Sequence, residues 1–284
     1  VRKKQFILIG SGALLFCLIY FFGRTVPAKS NSPVTKAGTS AGKSADMVDT
    51  KSVLAAFKLE LTPDQQAYVN QLETAVVRGD VKEQQIKVYR QIATFWLDSA
   101  HMRVPFAYYS GMASKLENSE KSLTFAAHYF LEGIRQQGDP GLKRWMASEA
   151  KELFEKALVL NPNNDSTKVG LGSCYLFGNI SENPMQGITL IREVVERDPD
   201  NMFAQFMLGL GGMESGQFDK AIERLSKVVA KQPKNLEAIL TLAEAYERSG
   251  DKKNAVIWYE ASKKFFKEEE IIKEIDHRIE DLKK

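Results

Sequence analysis

Cysteine, histidine and unbalanced charge are all scarce in this 284-residue chain. The two cysteines, Cys17 and Cys174, lie far apart, so they supply neither a zinc-ligand spacing nor a disulfide framework and leave the redox compartment open. Only three histidines occur, His101, His128 and His277. No Cys/His pairing, serine nucleophile elbow or metalloprotease motif can be assembled. Glu274 and Asp281 flank His277 at i−3 and i+4, a neighbourhood that arises by chance in a helix this charged. No stretch alternates apolar and polar residues as a half-buried strand does. The net charge of +3 conceals an asymmetry: residues 1–60 carry nine Lys/Arg against three Asp/Glu, and residues 61–284 carry 30 against 33. The larger part is therefore excluded as a nucleic-acid binder on charge. These absences point to a non-enzymatic protein with no cofactor and no metal site.

What is present begins with VRKKQFILIGSGALLFCLIYFFGR. Residues 6–22 are uncharged, follow a basic flank over residues 1–5 and, as a helix, would span about 25 Å. That is the short end of a transmembrane span. A cleaved signal peptide, a lipoprotein signal and a buried helix are the competing readings. The run exceeds the usual signal-peptide core, and Phe16 stands where a lipoprotein needs a small residue, which favours an uncleaved signal-anchor. Arg2, Lys3 and Lys4 favour a cytoplasmic N-terminus, although Arg24, Lys29, Lys36 and Lys43 follow the span. Residues 23–51 are rich in Ser, Thr, Gly, Ala, Pro and Lys and read as a flexible linker with a reach of about 30 Å.

Beyond the linker, apolar residues recur at helical spacing. Pro162, Pro199 and Pro233 are separated by 37 and 34 residues. Ala157, Val194 and Val228 stand five residues before them, and Ala150, Gly187 and Ala221 twelve before. A period near 34 is the mark of stacked helical hairpins. Met202–Asn235 holds Leu208-Gly209, Gly216, Ala221, Leu225, Val228 and Pro233. The next unit holds Leu242-Ala243, Tyr246, Gly250, Ala255, Tyr259 and Ser262. The unit from Asp165 holds Leu171-Gly172, Tyr175, Gly187, Ile191, Val194 and Pro199, with three extra turn residues in GNISENPMQ. An earlier unit holds Phe125-Ala126, Tyr129, Ala150, Phe154, Ala157 and Pro162, with an insertion, QGDPGLKRWMAS, between its helices.

This pattern resembles the tetratricopeptide repeat. It implies an all-α helical-hairpin superhelix over residues 119–266, behind divergent hairpins over 52–118 with a turn at Gly79-Asp80, and before a capping helix at 267–284. Ile271, Ile272, Ile275, Ile279 and Leu282 give that last helix an apolar stripe. Its alternative use is a homodimeric coiled coil.

The segment FMLGLGGMESGQFDKAIERL has the GxxxxG spacing of a phosphate loop at Gly211 and Gly216. No strand precedes it, and Gln217 and Phe218 stand where Lys and Ser/Thr would be required. The resemblance instead places Gly209 at a helix contact and Gly216 in a turn. Gly211 and Gly212 should make their helix soft, or let another backbone approach closely.

The resemblance implies a protein or peptide partner in a groove lined by the first helix of each hairpin. Carried onto this chain, the groove residues are Val169, Leu176 and Phe177, then Phe203, Phe206, Leu210 and Met213, then Leu240, Glu244 and Arg248. With Ser166, Ser173, Glu214, Glu237 and Glu247 beside them, the expected partner has apolar anchors and basic flanks. The chain is similar to single-span bacterial proteins that hold such repeats in the periplasm, among them translocon-associated and cytochrome-maturation factors. The expectation is a scaffold in the inner membrane, in secretion or complex assembly. A cytosol-facing import receptor and a regulatory subunit of an enzyme are the alternatives.

Overall fold

Each repeat-spaced proline is followed two residues later by asparagine: Asn164, Asn201 and Asn235. The structure, a computed structural model, describes residues 48–78, 81–181 and 183–284. Each of these asparagines caps a helix. Its Oδ1 accepts from the N–H of Thr167 at 3.0 Å, Ala204 at 3.0 Å and Ala238 at 3.1 Å, respectively. Proline ends one helix and asparagine starts the next, so both signals sit in four residues.

The described residues form thirteen α-helices and no strand. These are α1 (Thr50–Leu59), α2 (Pro63–Arg78), α3 (Lys82–Thr94), α4 (Arg103–Glu117), α5 (Glu120–Gln136), α6 (Pro140–Leu160) and α7 (Asp165–Phe177). The rest are α8 (Met185–Arg197), α9 (Met202–Glu214), α10 (Phe218–Lys231), α11 (Leu236–Ser249), α12 (Lys252–Lys263) and α13 (Glu269–Lys283). The hairpins are α5/α6, α7/α8, α9/α10 and α11/α12, and the leading helices α5, α7, α9 and α11 lie side by side. Each hairpin buries its apolar face against the next, which makes the whole a helical solenoid.

Glycine sets how closely the two helices of a hairpin meet. A methyl group at Gly172 would stand 2.7 Å from the Gly187 carbonyl oxygen, and one at Gly187 would stand 2.9 Å from Tyr175 Cβ. In the next hairpin, Gly212 occupies the place of Tyr175. A Cβ there would lie 3.1–3.3 Å from the Ala221 Cβ, N and Cα atoms. Of the two outcomes expected at Gly211 and Gly212, close approach by another backbone is the one found at Gly212. Gly216, at φ 71°, makes the turn between α9 and α10.

The insertion expected to separate the helices of the first hairpin does not form a loop. Asp139 Oδ1 accepts from Leu142 N at 2.6 Å, and Pro140 occupies the first helical position. Asp-Pro is here a helix start rather than a turn, because proline's missing N–H costs nothing there. The insertion extends α6 to 21 residues and adds buried Trp145, Met146 and Ala147. Helix α1 docks on this extension: Trp145 Nε1 donates to Thr50 Oγ1 at 3.0 Å. Asp49 caps α1, so this helix begins slightly inside the stretch expected to be linker.

The divergent hairpins have their own core of Leu61, Val69, Ile92, Phe95, Trp96, Phe106 and Tyr109. Helix α3 runs into a π-helical turn, Phe95–Ser99, which no sequence signal marked. At the other end, α13 buries Ile275 and Ile279 against Ala243, Ala255 and Tyr259. The capping use of its stripe is therefore realised within the chain, with Ile271 left 37% exposed. No helix among the described residues is long and apolar enough to cross a membrane. The span expected at 6–22, most of the linker and the Gly79-Asp80 turn lie outside the described residues.

Candidate functional site

Contacts that skip a helix show which way the row α5, α7, α9, α11 is curved. On α5, His128 reaches Phe203 on α9, with ring centroids 5.5 Å apart, and its Nε2 lies 3.0 Å from Ser166 Oγ on α7. One face lower, the Arg135 guanidinium sits 5.8 Å from the centre of the Phe206 ring and pairs with Glu237 on α11. His128 and Arg135 are seven residues apart and so share one face of α5. This inner face is thus a row of His128, Ser166, Phe203, Phe206, Arg135 and Glu237.

The residues expected to line a groove divide by accessibility. Val169 is fully buried, and Phe177, Phe206 and Met213 are 6–7% exposed. All four belong to the continuous core, so Val169 presents no surface to a partner. Leu176 turns the other way, against Gly211 and a crevice on the opposite side of α9. Phe203, Leu210, Leu240 and Glu244 are half-buried, and Arg248 is exposed, with its guanidinium over the Phe218 ring at 4.8 Å.

The acidic set also changes character. Glu237 faces Arg135, Glu247 accepts from Arg278 at 2.8 Å, and Glu244 lies 3.5 Å from Arg248. These three carboxylates are matched by cations, which weakens the electrostatic basis for basic flanks on a partner and leaves exposed Glu214 as its remaining support. His128 and Arg135 are the inner-face residues that sequence reasoning missed. The first unit fits the repeat loosely, so its frame did not show which residues of α5 turn inward. Their seven-residue spacing was the available signal.

Residues 213–268, from the end of α9 to beyond α12, match the tetratricopeptide repeat family. That stretch is a tetratricopeptide repeat region. Three solved structures illustrate what the chain is similar to. Residues 41 to the end of MamA from Desulfovibrio magneticus RS-1 share 21% identity, covering 66% of this chain and 95% of that one, with a TM-score of 0.43. PilW, a type IV pilus biogenesis factor, shares 17% over 63% and 76%, with a TM-score of 0.46. YrrB, described as having an unusual peptide-binding site, shares 18% over 62% and 84%, with a TM-score of 0.39.

Within the repeat array, burial holds the His128 imidazole below its ordinary pKa of 6.5. The folded state thus binds fewer protons than the unfolded chain as pH falls below about 6.5. Stability should be level above that value and decline below it. His128→Gln should flatten that part of the profile, measured as denaturation midpoints between pH 5 and 8. An unchanged slope would show that His128 is not held neutral by the fold. Elsewhere, His277 Nδ1 lies 3.3 Å from Asp281 on the surface, and no group of three or more His, Cys, Asp or Glu among the described residues could hold a metal ion.

Proposed function

We propose that this protein is a non-enzymatic scaffold that holds an apolar segment of a partner protein against the inner face of α5, α7, α9 and α11. The observation that carries this reading is Phe203. It is partly exposed on that face, with the His128 ring against it and Ser166 hydrogen-bonded to that histidine. An accessible aromatic ring framed by polar groups is the type of anchor that contributes most to binding. Phe206 lies beneath as support, and Leu210, Leu240, Glu244 and Arg248 extend the contact region.

Residues 6–22 would tether this scaffold to a bacterial inner membrane. The basic flank before the span favours repeats on the periplasmic side. The role is then assembly or secretion in the cell envelope. Support comes from the apolar run and the polar linker that separates it from the array.

The test is co-purification from detergent-solubilised membranes. The wild type should retain partner proteins, and Phe203→Ala should lose them while still melting cooperatively. Deleting residues 1–24 should release the chain from the membrane fraction with its helical signal unchanged. Retention of every partner by Phe203→Ala would sink the inner-face assignment. Repeats protected from protease after the outer layer is permeabilised would favour the cytosol-facing alternative.

A further inference from the structure

On the side of α9 opposite Phe203 and Phe206, a crevice of about 70 Å³ opens between α8 and α10. Its lining includes Arg192 from α8 and Lys220 and Arg224 from α10, and it contains no aspartate or glutamate. Gly211 and Gly212 form part of the wall, so backbone lies where side chains would otherwise fill the space. This is the glycine segment whose spacing imitates a phosphate loop.

The cations are positioned without being neutralised. Arg224 Nη1 donates to Gln205 Oε1 at 2.9 Å, and Gln205 is itself 1% exposed and donates to the Pro199 carbonyl at 2.8 Å. Lys220 Nζ donates to Gln217 Oε1 at 2.7 Å, and Gln217 Nε2 donates to Ser215 Oγ at 3.0 Å. Both partners are neutral amides, so both cations keep their full charge. Arg192 has no carboxylate within pairing distance among the described residues, although Lys168 nearby is 3.8 Å from Glu193 and Lys227 is 2.8 Å from Glu223. Three like charges around one small crevice repel one another unless an anion joins them.

We infer that this crevice is an oxyanion site that takes a phosphoryl group. A carboxylate would leave two of the three charges unmatched, whereas a phosphate dianion leaves one. Arginine guanidinium groups match phosphate oxygens in a planar, forked geometry. The volume exceeds the roughly 30 Å³ of one water, which suits a compact anion rather than a nucleotide. The phosphoryl group comes either as free phosphate or as a phosphorylated side chain. The site lies away from the inner face, so it can be occupied independently of the scaffold's partner.

The test uses the full chain, titrated with inorganic phosphate against chloride at matched ionic strength. The readouts are calorimetry and the amide NMR shifts of Gly211, Gly212 and Ser215. Saturable binding with shifts centred on those residues is expected. The double variant Arg192→Gln/Lys220→Gln leaves the Arg224–Gln205 bond intact and should weaken binding at least about tenfold. Lys234→Gln, an exposed charge outside the crevice, should leave it unchanged. A phosphoserine peptide that binds more tightly than inorganic phosphate, with its unphosphorylated form silent, assigns the source to a modified side chain. Equal or weaker peptide binding assigns it to the free anion. Equal responses to phosphate and chloride, or undiminished binding by a folded double variant, would overturn the assignment.

Discussion

Phe206→Ala is expected to destabilise the protein by about 3–5 kcal/mol, the usual cost of deleting a buried phenylalanine. The ring is 7% exposed, belongs to the core that runs through the repeats and carries the Arg135 guanidinium on its face. Truncation leaves a cavity and removes the surface on which Arg135 rests. Phe203→Ala should cost about 1–2 kcal/mol, because part of its ring already lies in water. Thermal melts of the two single variants separate the roles. The double variant cannot be read as a binding test, since its loss of stability would reduce capture by itself. A Phe206→Ala protein as stable as the wild type would return that residue to the groove.

Gly187→Ala should also destabilise strongly, against the direction set by helix propensity. Alanine in a helix interior is favoured over glycine by about 1 kcal/mol. Here the added methyl would overlap the Gly172 carbonyl oxygen and crowd Tyr175 Cβ. The obstruction is backbone from the paired helix, so it yields only if α7 and α8 separate along their length. Overpacking of this kind typically costs about 1–3 kcal/mol and occasionally more. Gly211→Ala is the matched control. Its methyl would meet only the end of the Leu176 side chain, at 2.8 Å, and a rotamer change can relieve that. Gly211→Ala should therefore lie near wild type. A Gly187→Ala protein that melts higher than wild type would show that the crossing has slack.

Both predictions bear on partner binding through the same physics. The inner face is built on helices whose spacing is set by glycine and alanine at the crossings. If α7 and α8 separate, Ser166 moves relative to His128 and the frame around Phe203 changes. On the proposed reading, a change at a crossing would therefore alter stability and partner capture together.

The sequence by itself determined the class and period of the fold. Prolines near a 34-residue spacing, small residues at fixed offsets and the final apolar stripe all act within a turn or a hairpin. Their consequences are local, so they were legible: the helix starts after Pro162, Pro199 and Pro233, the turn at Gly216 and the cap at α13 all follow from near neighbours. Tertiary structure alone decided which apolar residues are core and which are surface. Phe203 and Phe206 share a helical stripe, yet burial divides them, and each meets a different residue of α5, which comes from about seventy residues earlier: His128 on Phe203 and Arg135 on Phe206. The pairing of Arg135 with Glu237 and the clustering of Arg192, Lys220 and Arg224 arise the same way. Curvature of the solenoid brings distant helices together, and no periodicity within one repeat encodes how far that curvature carries them.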